Sequence, residues 1–97
     1  VKRLFTVIRR RGPAWDHAQS LEGQALWQPH ADFMNGLARE GFVVLAGPRE
    51  TVNDALLIVR AESAEEIRAR LDTDPWTPSG HLVTGEILKW DLRIGSL

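Results

Sequence analysis

Three short segments of this 97-residue chain are apolar at consecutive positions rather than at alternate ones. In Lys2 to Arg9, Phe5 and Val7 oppose Leu4 and Ile8. In Phe42 to Ala46, Val43 and Leu45 oppose Phe42 and Val44, and in Ala55 to Ala61, Leu57 and Val59 oppose Leu56 and Ile58. A strand with one wet face alternates apolar with polar residues, so these three call for cover on both faces. Only two stretches carry helical spacing, and two helices can cover one face of a sheet. The second face needs another layer. The simplest is the same face of a second copy, which predicts a homodimer packed sheet on sheet. Burying ~500 Å² of apolar surface per chain would favour it by roughly 12 kcal/mol at ~25 cal/mol/Å², before the costs of association.

The breakers divide the rest. Arg9-Arg10-Arg11-Gly12-Pro13 ends the first strand, and Ala14 to Gly23 is a polar loop holding Trp15, Asp16 and His17. The spacing then predicts a helix over Leu26 to Ala38, with His30, Phe33, Met34, Leu37 and Ala38 inward and Asp32, Asn35, Arg39 and Glu40 outward. Pro29 belongs in its first turn, where a missing N–H costs nothing, and Gly41 stops it. Gly47-Pro48 closes the second strand and Arg49 to Asp54 connects it to the third. Ser63 is the N-cap of a second helix, with Glu66 completing a capping box and Ala64, Ile67 and Leu71 inward. Asp72-Thr73-Asp74-Pro75 breaks that helix, and a last strand runs from Leu82 to Leu92 with a bulge at Gly85. The order is β-α-β-β-α-β over a single domain, residues 1–97. It predicts an α+β, ferredoxin-like fold with a four-stranded antiparallel sheet.

Composition removes whole classes of function. With 12 Lys+Arg against 13 Asp+Glu, a net charge of −1 gives no electrostatic case for nucleic acid or an anionic membrane. No apolar run approaches the ~20 residues of a membrane span, and no signal-peptide pattern opens the chain. Cysteine is absent, which excludes disulfides, thiolate metal sites and thiol nucleophiles and fits a cytoplasmic setting. Tyrosine is absent too, so acid–base chemistry falls to three His, the carboxylates and two Lys.

Among these, His30 is the one ionisable group on the inward stripe of its helix. Its plainer reading is a core histidine held by one hydrogen bond. The sharper reading makes it a pocket imidazole, with Trp27 and Phe33 as apolar walls, suited to proton transfer near neutral pH. Asp74 reads either as an Asx-turn residue before Pro75 or as the carboxylate that orients His30 and stabilises its charged form, with Trp76 walling the same cavity. Spacing alone does not bring residues 30 and 74 together. Arg9 is a candidate for an anionic substrate, against the plainer reading of Arg9-Arg10-Arg11 as a solvated strand end. Gly47 and Pro48 are first a turn, and Gly47 also allows backbone to approach a ligand. Trp15, Trp27, Trp76 and Trp90 read as core, interface or cavity residues. No metal-ligand spacing links His17, His30 and His81, no serine has a nucleophile-elbow context, and no Gly-rich nucleotide loop exists, so no metal and no cofactor is expected.

His30 followed by Phe33-Met34, Gly41 after the helix, Leu45-Ala46-Gly47-Pro48, and Asp74-Pro75-Trp76 together resemble the YCII-related family. Arg11-Gly12-Pro13-Ala14-Trp15-Asp16 and Lys89-Trp90 are similar to one of its subgroups. The resemblance spans nearly the whole chain. It implies a dimeric α+β barrel of ferredoxin-like protomers and a His–Asp dyad that maps onto His30 and Asp74. Relatives include a dehydrochlorinase, and the wider barrel superfamily includes muconolactone isomerases and cofactor-free monooxygenases. The expectation is therefore a small cofactor-independent enzyme that uses the dyad for proton transfer, in isomerisation or in elimination such as dehydrohalogenation, on a small cyclic or aromatic compound. The alternatives are a non-catalytic module binding a small molecule in the same pocket, and a structural dimerisation domain without a ligand.

Overall fold

A computed structural model describes residues Val1–Leu97 and gives six elements: β1 (Arg3–Arg11), α1 (Trp27–Arg39), β2 (Val43–Arg49), β3 (Asp54–Ala61), α2 (Ala64–Leu71) and β4 (Leu82–Lys89). The strands form one antiparallel sheet in the order β2-β3-β1-β4. This is the β-α-β-β-α-β, ferredoxin-like α+β arrangement that the periodicity predicts.

Both helices pack on one face of the sheet. Phe5 and Val7 of β1 stand beside Val59 and Leu57 of β3, and with Val43 and Ala61 they meet Leu37 of α1 and Ile67 and Leu71 of α2 in one buried cluster. Burying each such side chain is worth about 1.5–3 kcal/mol. The caps explain why the helices begin and end where they do. Ser63 Oγ accepts the Glu66 N–H at 3.1 Å, while Glu66 reaches back to the N–H of Glu62 rather than of Ser63. Half of the capping box thus forms as the spacing predicts, and the other half is displaced by one residue. Gly41 follows α1 at φ 80°, a left-handed conformation that favours glycine. Ala38, expected inward, is exposed, because α1 turns its buried stripe through His30 and Leu37.

Two strand ends differ from expectation. β2 runs on through Gly47 and Pro48 to Arg49, because it is an edge strand and proline can sit where no ladder donor is required. β4 stops at Lys89 rather than Leu92. Two bulges set which side chains face the helices. Val43 pairs with Val59 but Leu45 pairs with Ile58, so the extra residue at Val44 turns Leu45 to the uncovered face, away from Val43. The same slip brings Ala46 and Pro48 onto the helix face. On β4, Gly85 and Glu86 stand opposite Ile8 alone, between the pairs Val7 with Ile87 and Arg9 with Thr84. A Cβ at Gly85 would displace the flexible end of the Arg10 side chain and come within 3.2 Å of Ile8 O, so glycine fits the bulge most easily.

Candidate active site

Along β1 the helix-facing residues are Phe5, Val7, Arg9 and Arg11, so this face changes from core to cations toward the strand's end. A pocket of about 230 Å³ opens there. Its floor is Arg9 and Arg11 with Ala46, Gly47 and Pro48 of β2, Asp54, Ala55 and Leu57 of β3 and Leu82 of β4; Trp27, His30 and Met34 of α1 and the loop residues Trp15, Leu21 and Trp76 complete it. The turn that delivers α1 is strained. Leu26 takes φ 63° with no side-chain cap, a conformation that costs a non-glycine residue roughly 1–2 kcal/mol. Gln24 latches the preceding loop: its amide accepts from Asp16 N–H and donates to the carbonyls of Asp16, Gln19 and Ser20. A single buried glutamine in a polar loop gives no periodic signal, so its role is not legible in the sequence.

His30 and Asp74 meet. His30 Nδ1–H donates to Asp74 Oδ2 at 2.8 Å and to Oδ1 at 3.0 Å, and the carboxylate is fully buried. A carboxylate only accepts, so Nδ1 carries a proton, and in the neutral ring Nε2 is then the bare nitrogen of a residue that lines the pocket. Both readings of Asp74 hold at once: its Oδ1 also accepts the Trp76 N–H at 2.9 Å, the Asx-turn that ends the α2 segment. The Trp76 indole lies on the His30 ring, centroids 3.8 Å apart and planes 11° apart, and its Nε1–H donates to Ala25 O at 2.7 Å. His81, held by Ser79, stacks on the same indole at 5.5 Å. The imidazole is thus fixed by a charge at one edge and by an aromatic plane on one face.

Arg9 corrects the expectation of a solvated strand end: it is 1% exposed. Its Nη2–H donates to Thr77 Oγ1 at 2.8 Å, and Nη1 stands 3.4 Å from Asp74 Oδ2, while Nε has no partner. Burial pushes its pKa below the ordinary arginine value, and the charge of Asp74 opposes that shift. Thr77 passes the network on by donating to Leu71 O. Of the residues expected at the site, His30, Asp74, Arg9, Trp27, Gly47, Pro48 and Trp76 come together here. Phe33 does not. It packs against the central apolar cluster, while its neighbour Met34 lines the opening. Trp90 also lies outside the pocket, whereas Trp15 meets Trp76 edge-on at 5.4 Å. No three His, Asp or Glu side chains are grouped to hold a metal ion.

A family model, the YCII-related domain, matches residues 13–91, most of the chain and all of the His30, Asp74 and Trp76 constellation. The chain belongs to the YCII-related family. The match begins after β1, so Arg9 and Arg11 lie before the matched residues. No curated protein matches the chain. No helix is long and apolar enough to cross a membrane.

Proposed function

We propose that this pocket is the active site of a small cofactor-independent enzyme in which His30 Nε2 takes a proton from a small ring compound. One observation carries the reading: a buried carboxylate 2.8 Å from Nδ1 holds the neutral ring of a pocket-lining histidine in the tautomer whose opposite nitrogen is bare. Asp74 stabilises the positive charge that arises on the ring as the proton arrives, as paired carboxylates do for histidine bases. In an isomerisation the same nitrogen returns the proton to another carbon. In an elimination the C–H electron pair becomes the new double bond, a halide or other anion leaves, and the imidazolium gives its proton to water. Family membership supports a common architecture for the site, and the chemistry is argued from these residues.

We also propose that the uncovered sheet face is covered by a second copy. Leu4, Leu56 and Val44 are half-buried on the isolated chain, and Leu45 and Leu88 are exposed beside them. Apolar side chains gathered on an uncovered sheet face mark an interface.

The reaction reading is tested in deuterated water. Single-ring compounds that stabilise the protein in a thermal-shift screen are incubated with it, and their C–H signals are followed by proton NMR. Wild type is expected to exchange a C–H of at least one bound compound, and His30→Leu to slow that exchange on the order of 10²-fold or more. Binding without exchange by wild type contradicts the enzyme and supports a binding module instead.

A further inference from the structure

The pocket holds more positive charge than its carboxylates answer, and that excess defines what it takes. Two carboxylates stand at the site, and both are committed. Asp54 receives two 2.7 Å hydrogen bonds from Arg49 across the end of the β2–β3 hairpin. Asp74 is divided among His30, the Trp76 N–H and, at 3.4 Å, Arg9. Arg11 takes part in none of the chain's ion pairs. Its guanidinium lies 4.5 Å from the centre of the Trp15 ring, which fixes the plane of its donors without neutralising them. Arg9, buried beneath the same opening, keeps an unpartnered Nε and only a long contact to its carboxylate. A neutral ligand would leave this field unanswered in a largely apolar recess, whereas an anionic group would satisfy it.

Shape adds the second constraint. Trp15, Trp27 and Trp76 present flat aromatic surfaces. An apolar cavity of about 150 Å³ is known to accept benzene. At about 230 Å³ this pocket therefore has room for one ring with small substituents. We propose that its ligand is a single-ring carboxylate, the ring lying among the tryptophans and the carboxylate drawn to the Arg11 guanidinium, with Arg9 reinforcing the field from below. This rests on the proposed active-site reading and narrows it to substrates that bring their own negative charge. Both arginines stand on β1, before the residues matched by the family model.

The test uses three probes and calorimetry on the full chain: benzoate, its neutral counterpart benzamide, and acetate as an anion without a ring. Benzoate is expected to bind at least about tenfold more tightly than either of the others, the discrimination of one charge-assisted hydrogen bond. Arg11→Gln, at a half-exposed position in β1, is expected to bring benzoate down to the level of benzamide while leaving benzamide unchanged. Benzamide binding as tightly as benzoate overturns the proposal, as does wild-type affinity for benzoate in Arg11→Gln. Acetate matching benzoate overturns the ring requirement. Failure of all three to bind at millimolar concentration overturns the proposal as well. In each of these cases deuterium exchange catalysed through His30 remains a separate observable, so the loss of this inference is distinct from the loss of the proton-transfer reading.

Discussion

Asp74 concentrates the problem at the scale of single residues. A fully buried carboxylate would be costly alone, and here it is satisfied by an imidazole, a backbone N–H and an arginine. Each partner is supplied by a different part of the chain, so neither the helix pattern around His30 nor the Pro-ended turn around Asp74 could reveal the pairing. The two residue types were legible, one as a lone polar group on an apolar stripe, the other as an acid before proline. Their contact spans 44 positions, so spacing did not carry it; the family resemblance implied the pair, and the fold brings the two together. Arg9 was misread for a related reason: three arginines in a row suggest solvent, but strand alternation sends only Arg10 outward. A second buried acid allows a simple check on charge. Hydrogen bonds from Arg49 hold the Asp54 carboxyl below its ordinary value of 3.8, against the opposing effect of burial. A depressed pKa contributes stability that is complete above the unfolded value and is lost as pH falls through the folded one. Wild type is therefore expected to lose stability steadily in acid below that value, and Asp54→Asn to show a shallower dependence there with lower stability at neutral pH. Parallel denaturant titrations across that range check it, and equal slopes for the two proteins would contradict the assignment.

At the scale of elements, the site is made by where strands deviate from regular pairing. The bulge at Val44 moves Ala46 and Pro48 onto the helix face, and the bulge at Gly85 keeps Ile87, Thr84 and Leu82 on that face as β4 crosses β1. Gly85 was readable as a bulge because glycine in a strand marks close backbone approach. Val44 was not, since a β-branched residue inside an apolar run looks like regular strand. Simple alternation therefore assigned Leu45 to the wrong face. The same blindness to sheet position ended β2 at Gly47-Pro48: a proline reads as a breaker until the strand is known to lie at an edge. Helix identity was more robust, because Ile67 and Leu71 or His30 and Leu37 keep their spacing whatever surrounds them. Phe33 shows the limit of that argument. Sharing a stripe with His30 placed it inward, but that stripe is wide enough for Phe33 to meet the core while Met34 beside it lines the pocket.

For the whole molecule, the fold separates two jobs across one sheet. The helix face carries the core at one end and the pocket at the other. The opposite face carries Leu4, Leu45, Leu56, Ile58 and Leu88 with no layer above it. That surface was visible in the sequence as strands apolar on both sides, and it predicts a dimer. Light scattering at micromolar concentration is expected to give twice the mass of the 10.9 kDa chain, and Leu45→Lys to shift it toward the monomer. A monomeric wild type would contradict the shared sheet face and leave the pocket untouched. The pocket's own claim is narrower: Asp74 fixes which nitrogen of His30 is bare. Long-range proton–nitrogen correlation of the imidazole rings, at a pH where they are neutral, reads this directly. The account predicts that His30 holds its proton on Nδ1 with Nε2 resonating as an unprotonated nitrogen, and that Asp74→Asn loosens this preference. A wild-type His30 protonated on Nε2 would contradict it.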